Sequence, residues 1–442
     1  MLDPNRRIAL RLDPKYSNSY ESQIGLIVAA SLLSRMTPNL VIDTPSTPLH
    51  NSVPWQCEDL KAVLSERVCL DRPDQQYLFR RVKDDDYQLN IGPEGGPVNV
   101  HGSGWMGFVG PSPSPLPSRE LINPIGPALA SVVAVSRLFD RTPKFIQSDI
   151  VLDGFNWQVN PDSIMQNPYI QQPDVGNIWC IGLGSVGTSA LFFLSLATRG
   201  FKPTLIDMDV VKVENLDRSP IFRVEHTTGT NEKSLHKVAA TEDFLRSLGV
   251  DGISAEPCSF ASSPSRKKRI PRPDILVSAA NEQNVRHTIE QSLPPIQIYA
   301  TTGNEWQSTL LRHIPMVDSC SCCVFPPLEQ VANTMCSFVE MDVAEIGDKV
   351  DAALPFLSFM AGLMTAAEIL KLGIPGYPFS NHNKITFRAP SPRKVDPDFF
   401  AQSFPRRNDC VCQTRHQDIH LEVISSSKYA TLSGSDSGLQ TR

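Results

Sequence analysis

The 442-residue sequence predicts an α/β protein in two halves, the second built on a Rossmann-like parallel sheet. One stretch, Trp179 to Arg218, carries most of that prediction. Ile178 to Ile181 is an apolar run of strand length. Gly182-Leu-Gly184-Ser-Val-Gly187 follows, and Thr188 to Thr198 reads as a helix rich in small and apolar residues. A second apolar run, Pro203 to Ile206, ends at Asp207. Strand, glycine turn, helix, strand and acid are the parts of a nucleotide-binding βαβ unit. In such a unit Gly182 permits the tight turn, Gly184 lets a phosphate approach the backbone, and Gly187 lets helix and strand pack closely. Asp207 lies about 20 residues beyond the turn, where an acid reaches ribose hydroxyls. The competing interpretation is a structural β–α turn without ligand.

Length alone gives two or three domains with ample core. A net charge of -6 offers no electrostatic case for nucleic acid. The basic run Ser265-Arg-Lys-Lys-Arg269 reads as a solvated loop. Met1 to Ser17 carries charges throughout and contains no apolar signal region. The longest uncharged apolar stretch, Ala352 to Ala367, contains Pro355 and then meets Glu368 and Lys371, so it reads as a buried helix and not a membrane span. The expected setting is the cytoplasm, with no membrane partner. Ten cysteines in a chain this long do not make a disulfide scaffold. Their clustering points to metal or thiol chemistry in a reducing compartment.

Residues 1–150 read as a separate α/β unit. Ile24 to Leu33 and Trp55 to Leu64 are helix candidates. Leu40 to Ile42, Tyr87 to Ile91 and Val98 to Val100 are strand-like. Gly110-Pro-Ser-Pro-Ser-Pro-Leu-Pro-Ser118 must be a loop. A helix from Ala128 to Phe139 follows, with Pro127 suited to its first turn. No glycine fingerprint and no chemistry are visible in this unit. Leu152 to Val175, with several Asn, Gln and Pro residues, bridges into a second unit over 151–412. The remainder, 413–442, reads as a tail, disordered from Ser425 by its Ser, Gly and Thr content.

Beyond Asp207, Asn215 and Arg218 lie three apart, so a helical turn puts both on one side. An amide and a guanidinium there could face a triphosphate, since arginine forks and keeps its charge. Lys233 and Lys237 sit four apart, and Lys237 opens an amphipathic segment, Val238 to Leu248. On spacing alone either lysine reads as surface solubility. Pro273 to Asn281 is another strand with a polar end, so Asn281 belongs on the same rim as Gly184 and Asp207.

Taken in order, Gly182-x-Gly184-x-x-Gly187, Asp207-Met-Asp209, Asn215-Leu-x-Arg218, Lys237-Val-Ala-Ala, Asn281 to Arg286 and Cys320-x-x-Cys323-Val-Phe resemble the ThiF/MoeB family. That family includes the ubiquitin-activating enzymes. The resemblance covers about 150 to 412. It implies ATP-dependent adenylation of the C-terminal glycine of a ubiquitin-like protein, passed in some members to a cysteine and then to a conjugating enzyme. It places Gly182, Gly184, Gly187 and Asp207 around ATP, and Asn215, Arg218 and Lys237 on the phosphates. The family's magnesium-binding acid aligns with Asn281, an amide that can ligate Mg²⁺ without bringing charge, which leaves Asp209 or a neighbour to compensate. The glutamine usual after the arginine is Ser219. Lys233 remains an alternative to Lys237. The arginine–glutamine pair found before the glycine strand in many members is not seen. Gly104-Trp105 and Asn123-Pro-Ile-Gly resemble the inactive half of bacterial ubiquitin-activating-like proteins linked to antiphage operons. Homodimers are common in the family, and an attached inactive half can mimic one.

The cysteines split into two groups. Cys320-x-x-Cys323 and Cys410-x-Cys412 together offer four thiolates, the number a structural Zn²⁺ prefers, with Cys322 as a substitute ligand. Otherwise they are buried unpaired thiols. Cys336, in Asn333-Thr-Met-Cys-Ser, stands apart in polar surroundings that suggest an accessible loop. By the resemblance it accepts the activated partner as a thioester. Two other classes fit parts of the pattern. A nicotinamide dehydrogenase would use the glycine turn and Asp207 but leaves Arg218, Lys237 and the cysteine pairs unexplained. A nucleotide-binding pseudoenzyme scaffold would account for Asn281.

Overall fold

The computed structural model describes residues 7–433 except 71–77, 84–85, 118–120, 140–146, 165–167, 171–173, 229–233, 269, 281–282, 293–294, 304, 326–339, 343–348, 352–353, 391–395 and 415–416. Two eight-stranded mixed sheets organise these residues. The first half contains β1 (Ile8–Leu12), α1 (Tyr20–Met36), β2 (Leu40–Asp43), α2 (Leu60–Val63), β3 (Leu78–Phe79), β4 (Tyr87–Ile91), β5 (Asn99–Ser103), β6 (Met106–Gly110), α3 (Ile125–Leu138), β7 (Ile150–Asp153) and β8 (Gln158–Val159). The second contains β9 (Gly176–Ile181), α4 (Ser185–Ala197), β10 (Phe201–Ile206), α5 (Lys237–Ser247), β11 (Ser254–Glu256), α6 (Pro264–Lys268), β12 (Ile275–Ser278), α7 (Gln283–Gln291), β13 (Ile296–Gly303), β14 (Gln307–His313) and α8 (Ser321–Val324). It ends with a small hairpin, β15 (Glu340–Asp342) and β16 (Lys349–Asp351), then α9 (Pro355–Lys371), β17 (Lys384–Arg388), β18 (Asp398–Gln402), α10 (Val411–Thr414) and α11 (Gln417–Ser425).

The two sheets share one topology. The first runs β3-β2-β1-β4-β5-β6-β7-β8 and the second β11-β10-β9-β12-β13-β14-β17-β18. In each, the first five strands are parallel and the last three are added antiparallel. A helix follows the first strand of each half, α1 or α4, and another precedes the seventh strand in each, α3 or α9. The matching helices α3 and α9 pack against each other, so one continuous apolar core spans both halves. Phe139 from the first half meets Trp306 and Phe356 from the second at ring distances of 5.3 and 5.6 Å. Edge-on and tilted aromatic contacts of this kind add to the area they bury.

Several elements depart from the sequence reading for local reasons. Asp59 accepts the amide of Ala62, so the helix expected from Trp55 starts at Leu60 and continues into a π turn, Leu64–Val68. The hairpin of β7 and β8 adds to the first sheet, which therefore reaches past residue 150. The basic run is not a loop: Ser265 to Lys268 lie on α6, where Arg266 donates to Ala261 O and Ser292 Oγ. The tail read as disordered from Ser425 continues as ordered structure to Ser433. Ile424 and Tyr429 are buried, and the Tyr429 hydroxyl reaches Val175 O at 3.4 Å. Among the described residues no helix is long and apolar enough to cross a membrane.

Candidate functional site

The site is built at the carboxyl ends of β9 and β10, where parallel sheets place ligands. Gly182 leaves β9 at φ +85°, a conformation that disfavours side chains, and a Cβ there would lie 2.8 Å from Ala280 N. A Cβ on Gly187 would lie 2.1 Å from Gly182 O, so only glycine lets α4 sit on the turn. Gly184, between them, faces open space: nothing lies within 4 Å of its Cβ position. It is also the N-cap of α4 and supplies no capping side chain, whereas Ser19 caps α1 and Asp59 caps α2. The first-turn amides of α4 thus have no capping side chain competing for them.

Asp207 clamps this turn. Its Oδ2 accepts Leu183 N at 2.6 Å and its Oδ1 accepts Asp209 N at 2.8 Å. Burial pushes its carboxyl above the ordinary range, and the charge of Lys237 is the largest opposing influence. An isolated bridge between Val210 and His236 folds the start of α5 onto the Asp207–Val210 segment. Lys237 is therefore not a solvent lysine. It is 8 % exposed, and its Nζ pairs with Asp209 Oδ2 at 2.8 Å. Asn215 ends a short 3₁₀ turn, Val213–Asn215, and its Oδ1 accepts Lys212 N at 3.0 Å. Its amide oxygen is thus engaged in its own turn. Arg218 follows on a mostly buried side chain, 3.9 Å from Asp217 Oδ1. The next residue ties this loop to the glycine turn: Ser219 Oγ donates to Thr188 Oγ1 at 2.9 Å, and Thr188 Oγ1 donates to Gly184 O at 2.7 Å.

A second cluster lies where α8 and α10 come together. The sulfurs of Cys320, Cys323, Cys410 and Cys412 all lie within 4.8 Å of one another. Cys320 is 3.3 Å from Cys410 and 3.7 Å from Cys323, and Cys323 is 3.6 Å from Cys412. Four sulfurs at 2.3 Å from a zinc ion would form a tetrahedron with edges of about 3.8 Å. The four thiols fit one metal ion, and the short spacing of the second pair is no obstacle. Arg407 N donates to Cys323 Sγ at 3.4 Å. Cys322 turns away, to within 3.7 Å of His287 Nδ1, and is not one of the four. Buried Glu290 anchors the knuckle by accepting Ser321 N at 2.9 Å, Ser321 Oγ at 2.8 Å and Tyr299 OH at 2.9 Å.

The ThiF family profile matches residues 172–404, more than half of the chain and all of the rim and α8. The chain belongs to the ThiF family. No curated protein matches its sequence. Among solved structures, it is similar to Escherichia coli MccB with MccA-N7isoASN at 17 % identity and TM-score 0.40, covering 54 % of this chain and 66 % of that one. MccB from the same organism with ATP gives 15 %, TM-score 0.41, 72 % and 97 %. PaaA gives 20 %, TM-score 0.35, 52 % and 65 %.

In this ThiF-family chain, Asn281, Lys233 and Cys336 lie outside the described residues. The first half offers no matching glycine turn. Its β1–α1 connection is a 3₁₀ turn, Pro14–Tyr16, opened by Asp13. The sequence reading missed Arg35, which reaches Ser219 O and Pro220 O from α1. The one available signal was a lone arginine closing a long apolar run.

Proposed function

We propose that the second half adenylates the C-terminal carboxylate of a ubiquitin-like protein. The observation that carries the reading is a single connected rim. It joins the open Gly184 turn, Asp207 clamped upon it, buried Lys237 paired with the exposed carboxylate of Asp209, and the Arg218 loop pinned through Ser219 to Thr188. Gly184 and the first-turn amides of α4 would take phosphate oxygens of ATP, and Asp207 the ribose. Asn215 would offer its Nδ2 to a phosphate while its Oδ1 holds the turn that leads to Arg218.

One oxygen of the partner's terminal carboxylate attacks the α-phosphorus. The bond from that phosphorus to the bridging oxygen breaks, and pyrophosphate leaves with the electron pair. Arg218 and Lys237 hold the charge that builds on it; Lys237 has three donors, of which Asp209 takes one. Mg²⁺, bound with the nucleotide, would add charge neutralisation, and Asp209 and Asn281 are the residues that would hold it. The acyl adenylate is then open to attack by a thiolate, a role assigned to Cys336. A carbon–sulfur bond forms, AMP leaves, and the thioester passes to a conjugating enzyme. Zn²⁺ on Cys320, Cys323, Cys410 and Cys412 would staple α8 to α10 without an open position for chemistry.

The duplicated topology supports a chain that needs no second copy, because the first half already packs α3 on α9. The antiphage setting stands on the first-half motifs and is checked by the neighbouring genes: a small β-grasp protein ending in glycine beside a conjugating-enzyme-like protein. Asn281 favours the second reading, a nucleotide-binding scaffold without turnover. A thermal-shift comparison tests the ligand class. ATP with Mg²⁺ should protect the protein and NADH should not; protection by NADH alone would overturn the reading.

A further inference from the structure

The geometry points to Arg35, in the half whose β1–α1 connection has no glycine turn, as a positioning residue for the Arg218 loop of the other half. Every residue of α1 is buried, and Arg35 is 3 % exposed. Its guanidinium crosses between the halves. Nε donates to Ser219 O at 2.8 Å and Nη2 to Pro220 O at 3.2 Å, while Nη1 donates to Ser31 O at 2.6 Å and Val68 O at 3.3 Å. Two successive carbonyls are held by one planar fork, a geometry that arginine supplies and lysine does not. The same residue, Ser219, carries the link onward through Thr188 Oγ1 to Gly184 O. Ser219 and Thr188 are fully buried, so water cannot take over the bond between them. The backbone that bears Arg218 is thus fixed on both sides: by Asn215 O, which accepts Ser219 N at 3.1 Å, and by Arg35. On this inference, which rests on the adenylation reading for its catalytic consequence, the first half is part of the working site through Arg35.

The test uses the full chain with Arg35→Met, and Arg35→Lys and Ser219→Ala as milder variants should Arg35→Met fail to fold. Hydrogen–deuterium exchange without ligand comes first, because it does not depend on activity. Faster uptake confined to residues 213–222 and 183–188 is the expected result; unchanged or uniformly faster uptake would overturn the inference. Pyrophosphate exchange then tests the catalytic part. Arg35→Met should lower kcat about 30-fold, the scale of a loop displaced by a fraction of an ångström, with KM for the protein substrate unchanged. In an Arg218→Ala background the same change should cost less than about 3-fold, since its effect passes through Arg218. Equal losses in both backgrounds would reduce Arg35 to a structural residue. A wild type without exchange activity would remove the adenylation reading, and the deuterium result would still decide whether Arg35 holds the loop.

Discussion

Trp157, from the first half, donates its indole N–H to Glu368 Oε1 of α9 at 2.7 Å. The same carboxylate accepts Lys371 Nζ at 2.7 Å and Tyr377 OH at 2.6 Å, and Arg312 Nη1 lies 3.6 Å away. Lys371 in turn stands 4.3 Å from the centre of the Trp157 ring. A fully buried ionic knot therefore joins the halves. Burial pushes Glu368 up, but Lys371 and Arg312 outweigh it and hold the carboxyl at about 2, below its ordinary 4.5.

A pH dependence follows from that depression. Because the folded value lies below the unfolded one, the stabilisation is complete above about pH 4.5 and is lost as pH falls towards about 2. The loss should approach about 3 kcal/mol over that window. Urea midpoints of the wild type should fall more steeply with acid than those of Glu368→Gln. Parallel slopes would show that the knot does not titrate as argued. At neutral pH, Lys371→Met should cost about 3 kcal/mol or more, because it strips a buried carboxylate of its nearest cation.

Lys237 should matter for turnover more than for folding. Asp209, its partner, is more than half exposed, so their pairing contributes little to stability. Removing a cation from the leaving group should cost on the order of 10²-fold in rate. Lys237→Ala is expected to lower pyrophosphate exchange by that amount while the thermal midpoint barely moves. Full activity in Lys237→Ala would transfer the phosphate role to Lys233.

Purified protein should carry one Zn²⁺ per chain on the four clustered thiols. Elemental analysis checks this. Cys323→Ser should lose the metal and Cys322→Ser should keep it, because Cys322 points to His287. Metal-free wild-type protein, freshly prepared, would remove the site.

Incubation with ATP, Mg²⁺ and the ubiquitin-like partner should give a thiol-sensitive adduct on a non-reducing gel. The adduct should vanish in Cys336→Ala while pyrophosphate exchange survives. An adduct that persists in Cys336→Ala would move the acceptor role to another cysteine.

What could be seen in the sequence was what local chemistry dictates. The Gly182–Gly187 turn, the helix behind it and Asp207 are adjacent in the chain, so their joint pattern survives without tertiary knowledge. Lys237 could not be placed that way, because its burial depends on the bridge between Val210 and His236. The duplicated sheet was equally hidden. β5 to β8 are short, and β7 and β8 sit in a stretch whose polar composition reads as a linker. Arg35 closes an apolar helix, where a cation ordinarily answers the helix dipole. Only the folded chain puts Ser219 O within 2.8 Å of it. The tail differs over 425–433, where its composition is polar yet Ile424 and Tyr429 are buried and Lys428 N donates to Asp274; 434–442 lie outside the described residues.

The most direct test of adenylation is ATP–pyrophosphate exchange in the presence of the ubiquitin-like partner, with and without its free terminal carboxylate. The wild type should exchange label only when that carboxylate is present, and Arg218→Ala should lose on the order of 10²-fold or more. Exchange that ignores the carboxylate, or an Arg218→Ala protein with undiminished exchange, would contradict the assignment.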